Sequence, residues 1–208
     1  MNRHPRVLYL LIAALFLAAC SEAPKPGAEK AKEPAKPAEA ASGLKGFYQM
    51  YGTARQWAPD VQVLRLRSLA IAEVKNAGGK AGAWEATFVS QSRGKTRSYT
   101  YAVVESSGSL HKGVFAGMED GWSGPRGQAK PFAVADVKID SDKAFEVAMT
   151  KAADYVKKNP DMPVSFLLES TSRFPNPAWR VIWGESVASS NFSVFVNAST
   201  GAFLQTVR

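Results

Sequence analysis

Residues 192–204 read FSVFVNASTGAFL, two apolar runs separated by a short polar stretch. Val194 and Val196 are two positions apart, and a period of two places them on one face of a β-strand. Gly201 ends the polar stretch between the two runs, where glycine adopts a positive φ at little cost and favours a hairpin turn. The stretch therefore predicts an antiparallel hairpin whose second strand covers residues 202–207.

The order of elements before this hairpin occurs twice along the chain, displaced by about 95 residues. An apolar stripe at three- and four-residue spacing predicts a first helix from Ser42 to Trp57. The same spacing predicts a second helix that begins at Ser141 and ends before Pro160. We expect Ser42 and Ser141 to cap the two helices, since serine is a favoured N-cap residue.

Each predicted helix is followed by patterns for four strands. The clearest pair of strands opens with Ala-Trp, at Trp84 in the first copy and at Trp179 in the second. The fourth strand of the first copy is expected at 110–115. The sequence thus predicts an α+β fold, a tandem repeat of one helix packed on a four-stranded antiparallel sheet, with copies at 43–120 and 121–208.

Three motifs of the second copy match a known family. They are IDSDKA at 139–144, WRV at 179–181 and VFVNASTGAFL at 194–204. In these motifs the chain resembles the PepSY domain, a small secreted or envelope module. The resemblance implies a PepSY-like, cystatin-like arrangement of one helix on an antiparallel sheet. It also implies a protein that binds envelope partners and restrains peptidases.

The N-terminal segment has the pattern of an export signal. A basic start precedes an apolar run at 7–19, which is shorter than the roughly 20 residues of a membrane-spanning helix. Residues 17–20 read LAAC and resemble the lipobox of bacterial lipoproteins. The resemblance implies that 1–19 is a signal peptide and that Cys20 receives a lipid. Residues 20–42 are rich in Ala, Pro, Lys and Glu, which predicts a disordered tether.

The lipobox resemblance also predicts location and partners. A lipidated Cys20 would attach the protein to a membrane in the cell envelope. Because Ser21, and not aspartate, follows the cysteine, the resemblance implies the outer membrane, facing the periplasm, if the host is diderm. An envelope location makes a nucleic-acid partner unexpected. The formal net charge of +8 suits contact with anionic lipid or glycan.

Residues suited to catalysis are sparse in the predicted domain. His111 is its only histidine, and Cys20 is the only cysteine of the chain, so neither a metal site nor a cofactor is expected. Ser109 and Lys112 are three positions apart on a predicted strand and would point to opposite faces. Gly79 lies in a glycine turn that a strand pattern follows, which argues against a phosphate-binding loop. We expect no enzyme.

The candidate binding surface combines basic and apolar positions. The basic part consists of a hairpin at 93–97 and of Arg65 and Arg67, which alternation places on one face of a strand. The other part is a set of apolar residues on the strand face opposite the tryptophans. Either the two copies pack together over those apolar residues, which we favour, or an exposed patch awaits a partner. The residues of this candidate surface are Arg65, Arg67, Arg93, Lys95, Arg97, Ile182 and Phe195.

Two functions remain open from the sequence. The first is a lipid-anchored, non-catalytic binding module of the cell envelope, with peptidase restraint implied by the PepSY resemblance. The alternative is a structural envelope lipoprotein that contacts anionic glycan or lipid through the basic hairpin, residues 93–97.

Overall fold

The computed structural model describes residues 37–208 except 107, 109 and 126–128. Cys20, the signal peptide and most of the tether therefore lie outside the described residues. Two helices are present in the described part, α1 at Gly43–Trp57 and α2 at Ser141–Lys158. The strands are β1 Ala41–Ser42, β2 Gln62–Leu69, β3 Lys80–Ala81, β4 Ala83–Ser90, β5 Lys95–Ala102, β6 Gly113–Gly121, β7 Val164–Glu169, β8 Ala178–Trp183, β9 Phe192–Asn197 and β10 Phe203–Val207.

Eight of these strands form one antiparallel sheet in the order β10-β9-β8-β7-β2-β4-β5-β6, and β1 pairs with β3 separately. The predicted tandem repeat, with each helix on its own four-stranded sheet, is therefore wrong. Strand β2 pairs with β7, with Leu66 opposite Leu168, and this pairing joins the strands into a single sheet. It removes two exposed strand edges, whose unpaired N–H and C=O groups would otherwise face solvent.

Both helices cover the same face of the sheet and share one main core. Two tryptophans meet near its centre, Trp84 from β4 and Trp179 from β8, with ring centroids 6.2 Å apart in an edge-on arrangement. The Trp84 indole N–H donates to the carbonyl of Ala41 over 2.9 Å, and that of Trp179 donates to Ile139 over 2.8 Å. Each tryptophan thus holds the chain just before a helix against the sheet.

The N-termini of the two helices are tied to each other. The N-cap of α2 is Asp140, whose carboxylate accepts from the N–H of Ser141 and from the N–H of Leu44 in α1, over 2.6 and 2.8 Å. The Ser141 hydroxyl accepts from the Gly43 N–H over 2.7 Å. Ser42 makes no side-chain capping bond. Ser42 therefore occupies the predicted N-cap position without making a capping bond, because Asp140 and Ser141 satisfy free N–H groups of α1. The predicted Ser141 cap is wrong, because Asp140 holds the N-cap position of α2.

The fourth strand of the first half lies later than predicted. Strand β6 begins at Gly113 and not at Leu110, and it includes Glu119. His111 precedes the strand, and its Nδ1 lies 3.3 Å from the carboxylate of Glu105. Within residues 37–208, apart from the five omitted positions, no helix is long and apolar enough to cross a membrane.

Asp60 connects the end of α1 to the β4–β5 turn and makes the fold sensitive to strong acid. Its carboxylate accepts from the Ser90 hydroxyl over 2.6 Å and from the Ser92 N–H over 2.9 Å. These bonds favour the ionised form and lower the pKa of Asp60 from 3.8 to about 2.

We expect this contact to stabilise the protein above about pH 4 and to be lost as the pH falls through about 2, because the group is ionised more readily when folded. The stability difference between wild type and Asp60→Asn should therefore shrink over that interval. Urea unfolding at stepwise pH would measure the difference, and a carbon NMR titration would give the midpoint. A midpoint near 4 in the folded protein would contradict the assignment.

Candidate functional site

The face of the sheet opposite the helices is the open face, and it carries polar residues at its centre. Arg65 lies opposite Thr87, and Arg67 lies opposite Glu85, in the β2–β4 pair. The Arg67 Nε donates to the Glu85 carboxylate over 2.8 Å. On its other side Arg67 is paired with Leu167 of β7. Alternation from Arg65 to Arg67 directs both arginines toward the open face and Leu66 into the core, and a register shift between Val63 and Arg65 places Val63 in the core as well.

Ile182 and Phe195 also belong to the open face, but both are buried, with 2% and 8% of their surface exposed. Phe174, from the loop between β7 and β8, lies over Phe195 with ring centroids 5.0 Å apart. Arg180 lies over the same ring at 5.1 Å. The sequence left two alternatives for Phe195, packing between the two copies or exposure to a partner. Neither applies, because Phe174 in a loop of the same half covers Phe195. The apolar positions are not an exposed patch.

A groove of about 290 Å³ lies on the open face where β2, β7 and β8 run side by side. Leu167 and Ile182 contribute to its apolar lining, and Arg65 and Arg67 line it from the β2 side. The loop after β8 lines it with Glu185, Ser186, Val187 and Ala188. The groove therefore combines apolar surface with two basic side chains, which suits a ligand that has an apolar part and a negative charge.

Burial also affects the charged groups beside the groove. Burial raises the pKa of the Glu169 carboxyl, and Arg65 and Arg180 oppose that rise. Burial lowers the pKa of the Arg180 guanidinium, which Glu169 opposes. Arg180 Nε donates to the Ser193 hydroxyl over 3.0 Å. These groups interact while partly removed from water, so charges near this region are screened less than on an open surface.

The basic hairpin lies elsewhere, on the side of the sheet that carries the helices. Arg97 is paired with Phe88 of the core face, and Lys95 is paired with Ser90 on the same side. Arg97 Nε donates to the Gly117 carbonyl over 2.9 Å. The structure thus divides the predicted surface: Arg65, Arg67, Ile182 and Phe195 belong to the open face, and Arg93, Lys95 and Arg97 lie away from it.

Arg93 is part of a local cluster near the C-terminal end of α1. It contacts the Glu119 carboxylate at 3.3 Å and lies over the Trp57 ring at 5.4 Å. The Trp57 indole N–H donates to the same carboxylate over 2.7 Å, and this bond, helped by Arg93, lowers the pKa of Glu119. Arg93 and Arg97 therefore already have partners within the protein, Glu119 and the Gly117 carbonyl. Fewer hairpin cations are available to an external ligand than the sequence indicates.

Sequence reasoning missed the wall of the groove formed by residues 185–188. These residues lie in the connection between β8 and β9 and have no strand or helix periodicity. The one available signal is that polar connections often carry binding residues. Among the described residues, no group of three or more His, Cys, Asp or Glu side chains is placed to hold a metal ion.

Comparison with protein-family models, with curated proteins and with solved structures finds no match for this chain.

Proposed function

We propose that this chain is a lipid-anchored binding protein of the bacterial cell envelope and that its partner contacts the groove on the open face. The groove carries the proposal, because it places apolar surface beside Arg65 and Arg67 on the face that the helices leave uncovered. The lipobox-like sequence at 17–20 supports the anchor. Restraint of a peptidase is one form that this binding would take.

The glycan-binding alternative depends on the hairpin cations and has less support. Arg93 and Arg97 are engaged by Glu119 and by the Gly117 carbonyl. A polyanion would have to replace those contacts, which offsets the gain from binding. Arg67 in the groove is engaged in the same way by Glu85, so the advantage of the groove is its apolar lining of Leu167 and Ile182 beside the arginines. Lys95 is the hairpin cation to substitute in a test of this alternative.

Site-specific crosslinking in intact cells tests the groove. Val187 is 41% exposed on the groove wall, so a photoreactive amino acid placed there would be available to a bound partner. We expect one crosslinked envelope protein, identified by mass spectrometry. Arg65→Glu should reduce its yield by about tenfold, because the substitution places a repulsive charge against an anionic partner.

Two charge-matched variants serve as comparisons. Lys45→Glu changes an exposed residue of α1 on the helix side and should leave the crosslink unchanged. Lys95→Glu makes the same change in the hairpin and should also leave the crosslink unchanged, because the hairpin lies on the helix side of the sheet. Loss of the crosslink in all three variants, or in none, would contradict the proposed groove.

The anchor is tested separately with Cys20→Ala. Wild-type protein should incorporate labelled fatty acid and partition with membranes, and the variant should do neither. A variant that stays with membranes, together with a wild type that takes up no label, would exclude the lipid anchor.

A further inference from the structure

A second cavity adjoins the groove, and the partner chemistry that follows rests on the function proposed above. This cavity has a volume of about 420 Å³ and lies between the loop after β2, the turn before β7 and the residues that follow β8. Ser165 and Glu185 line both the cavity and the groove. The two depressions are therefore neighbours, and one ligand can extend from the arginines past Ser165 into the cavity.

The cavity differs from the groove in its chemistry. Ile71, Met162 and Pro163 give it an apolar side, and the arginines belong to the groove alone. Lys75 and Asp161, which carry opposite charges, also line the cavity. Met162 is 37% exposed, so its side chain is accessible to a ligand in the cavity. An aliphatic side chain fits this end, and an acidic one fits the arginine end.

Asn76 adds a hydrogen-bonding requirement at the cavity. Its side-chain N–H donates to the Val164 carbonyl over 3.2 Å. Its amide oxygen is buried and has no hydrogen-bond partner among the described residues. A buried acceptor without a donor destabilises the folded protein. Because Asn76 lines the cavity, a ligand there that brings an N–H group is a donor for this oxygen once the amide turns toward it.

We infer that the groove and the cavity together bind one extended polypeptide segment of an envelope partner. An acidic residue of the segment lies against Arg65 and Arg67, and an aliphatic residue one or more positions away enters the cavity beside Ile71 and Met162. A backbone N–H of the segment donates to Asn76. A fatty acyl chain supplies no donor for Asn76, and a small anion would occupy the arginine end only.

Defined peptides test this inference on the purified full-length chain in detergent. The probe is a fluorescein-labelled octapeptide with two Asp residues at one end and two Leu residues at the other, and a second probe has the reverse order. We expect saturable binding of one of them by fluorescence anisotropy. Replacing Asp by Lys, or Leu by Ser, in that peptide should weaken it about tenfold in each case.

Protein variants then assign each end of the peptide. Arg65→Glu should weaken the Asp peptide about tenfold and bring the Lys peptide to equal or tighter binding. Met162→Asp should weaken the Leu peptide about tenfold and leave the weaker Ser peptide unchanged. Lys45→Glu is the matched control, and thermal melting by circular dichroism checks that every variant folds.

The outcomes are decisive in either direction. Absence of saturable binding to both probes up to about 1 mM overturns the inference, as does tighter binding of laurate than of either peptide. An effect of Arg65→Glu without any effect of Met162→Asp restricts the ligand to the groove and overturns the two-site segment. If the Val187 crosslink still forms in that case, the proposed function stands and only the extended segment fails.

Discussion

Gly79→Ala is expected to destabilise the protein by about 3–5 kcal/mol, because it combines backbone strain with a clash in a closed space. Gly79 has a φ of +81°, which side chains with a Cβ rarely adopt. The added Cβ would lie 2.3 Å from the Asp142 Cα and 2.8 Å from the Ser141 carbonyl oxygen. Both are backbone atoms at the start of α2, so no side chain can rotate to relieve the contact.

The neighbouring glycine provides the control for this prediction. Gly78 has a φ of +57°, and a Cβ there meets no atom within 4 Å. Gly78→Ala should therefore show only the conformational cost, about 1–2 kcal/mol. Urea unfolding followed by tryptophan fluorescence would give both values. Equal losses for the two variants would show that Gly79 does not pack against α2.

Ser141→Ala is expected to reduce the free energy of unfolding by about 2–4 kcal/mol, since two buried groups lose their partner. The Ser141 hydroxyl accepts from the Gly43 N–H and donates to the Gly79 carbonyl, and the side chain is fully buried. Alanine fills nearly the same space but makes neither bond. The same urea titration measures the loss.

Ser42→Ala is the matched comparison at the other helix. Ser42 occupies the N-cap position of α1, where a serine to alanine change usually costs about 1 kcal/mol. Its side chain makes no capping bond here, so we expect a change within about 0.5 kcal/mol. A larger loss at Ser42 than at Ser141 would mean that α1 is capped locally and that the link to α2 is unimportant.

The helices and several strands were predictable because their patterns are short-range. Helix α1 ends at Trp57, where the apolar stripe predicts its end. Strands β8 and β9 follow the alternation around Trp179 and Val194. Each prediction depends on residues a few positions apart, whose side chains share a face whatever the rest of the chain does.

The candidate site was predictable only in part. Alternation placed Arg65 and Arg67 together on one strand face, and the structure keeps them together at the groove. It could not show that the Arg93 hairpin lies on the helix side, because that depends on how β5 pairs with β4. Glu185 and Met162 lie in connections without periodicity, so their place at the groove and the cavity follows from tertiary packing.

The sequence by itself determined most local elements of this protein: the face that each helix buries, the alternation of strands such as β8 and the turn at Gly201. It also carries the lipobox-like motif on which the proposed anchor rests. Only the tertiary structure decided that β2 pairs with β7 in one eight-stranded sheet. It also decided that the Ser141 hydroxyl accepts a hydrogen bond from the N–H of Gly43, 98 positions away. The physical reason is that a strand edge or a free helix N–H group can form hydrogen bonds with any partner of suitable geometry. Packing of the core determines which partner lies within reach.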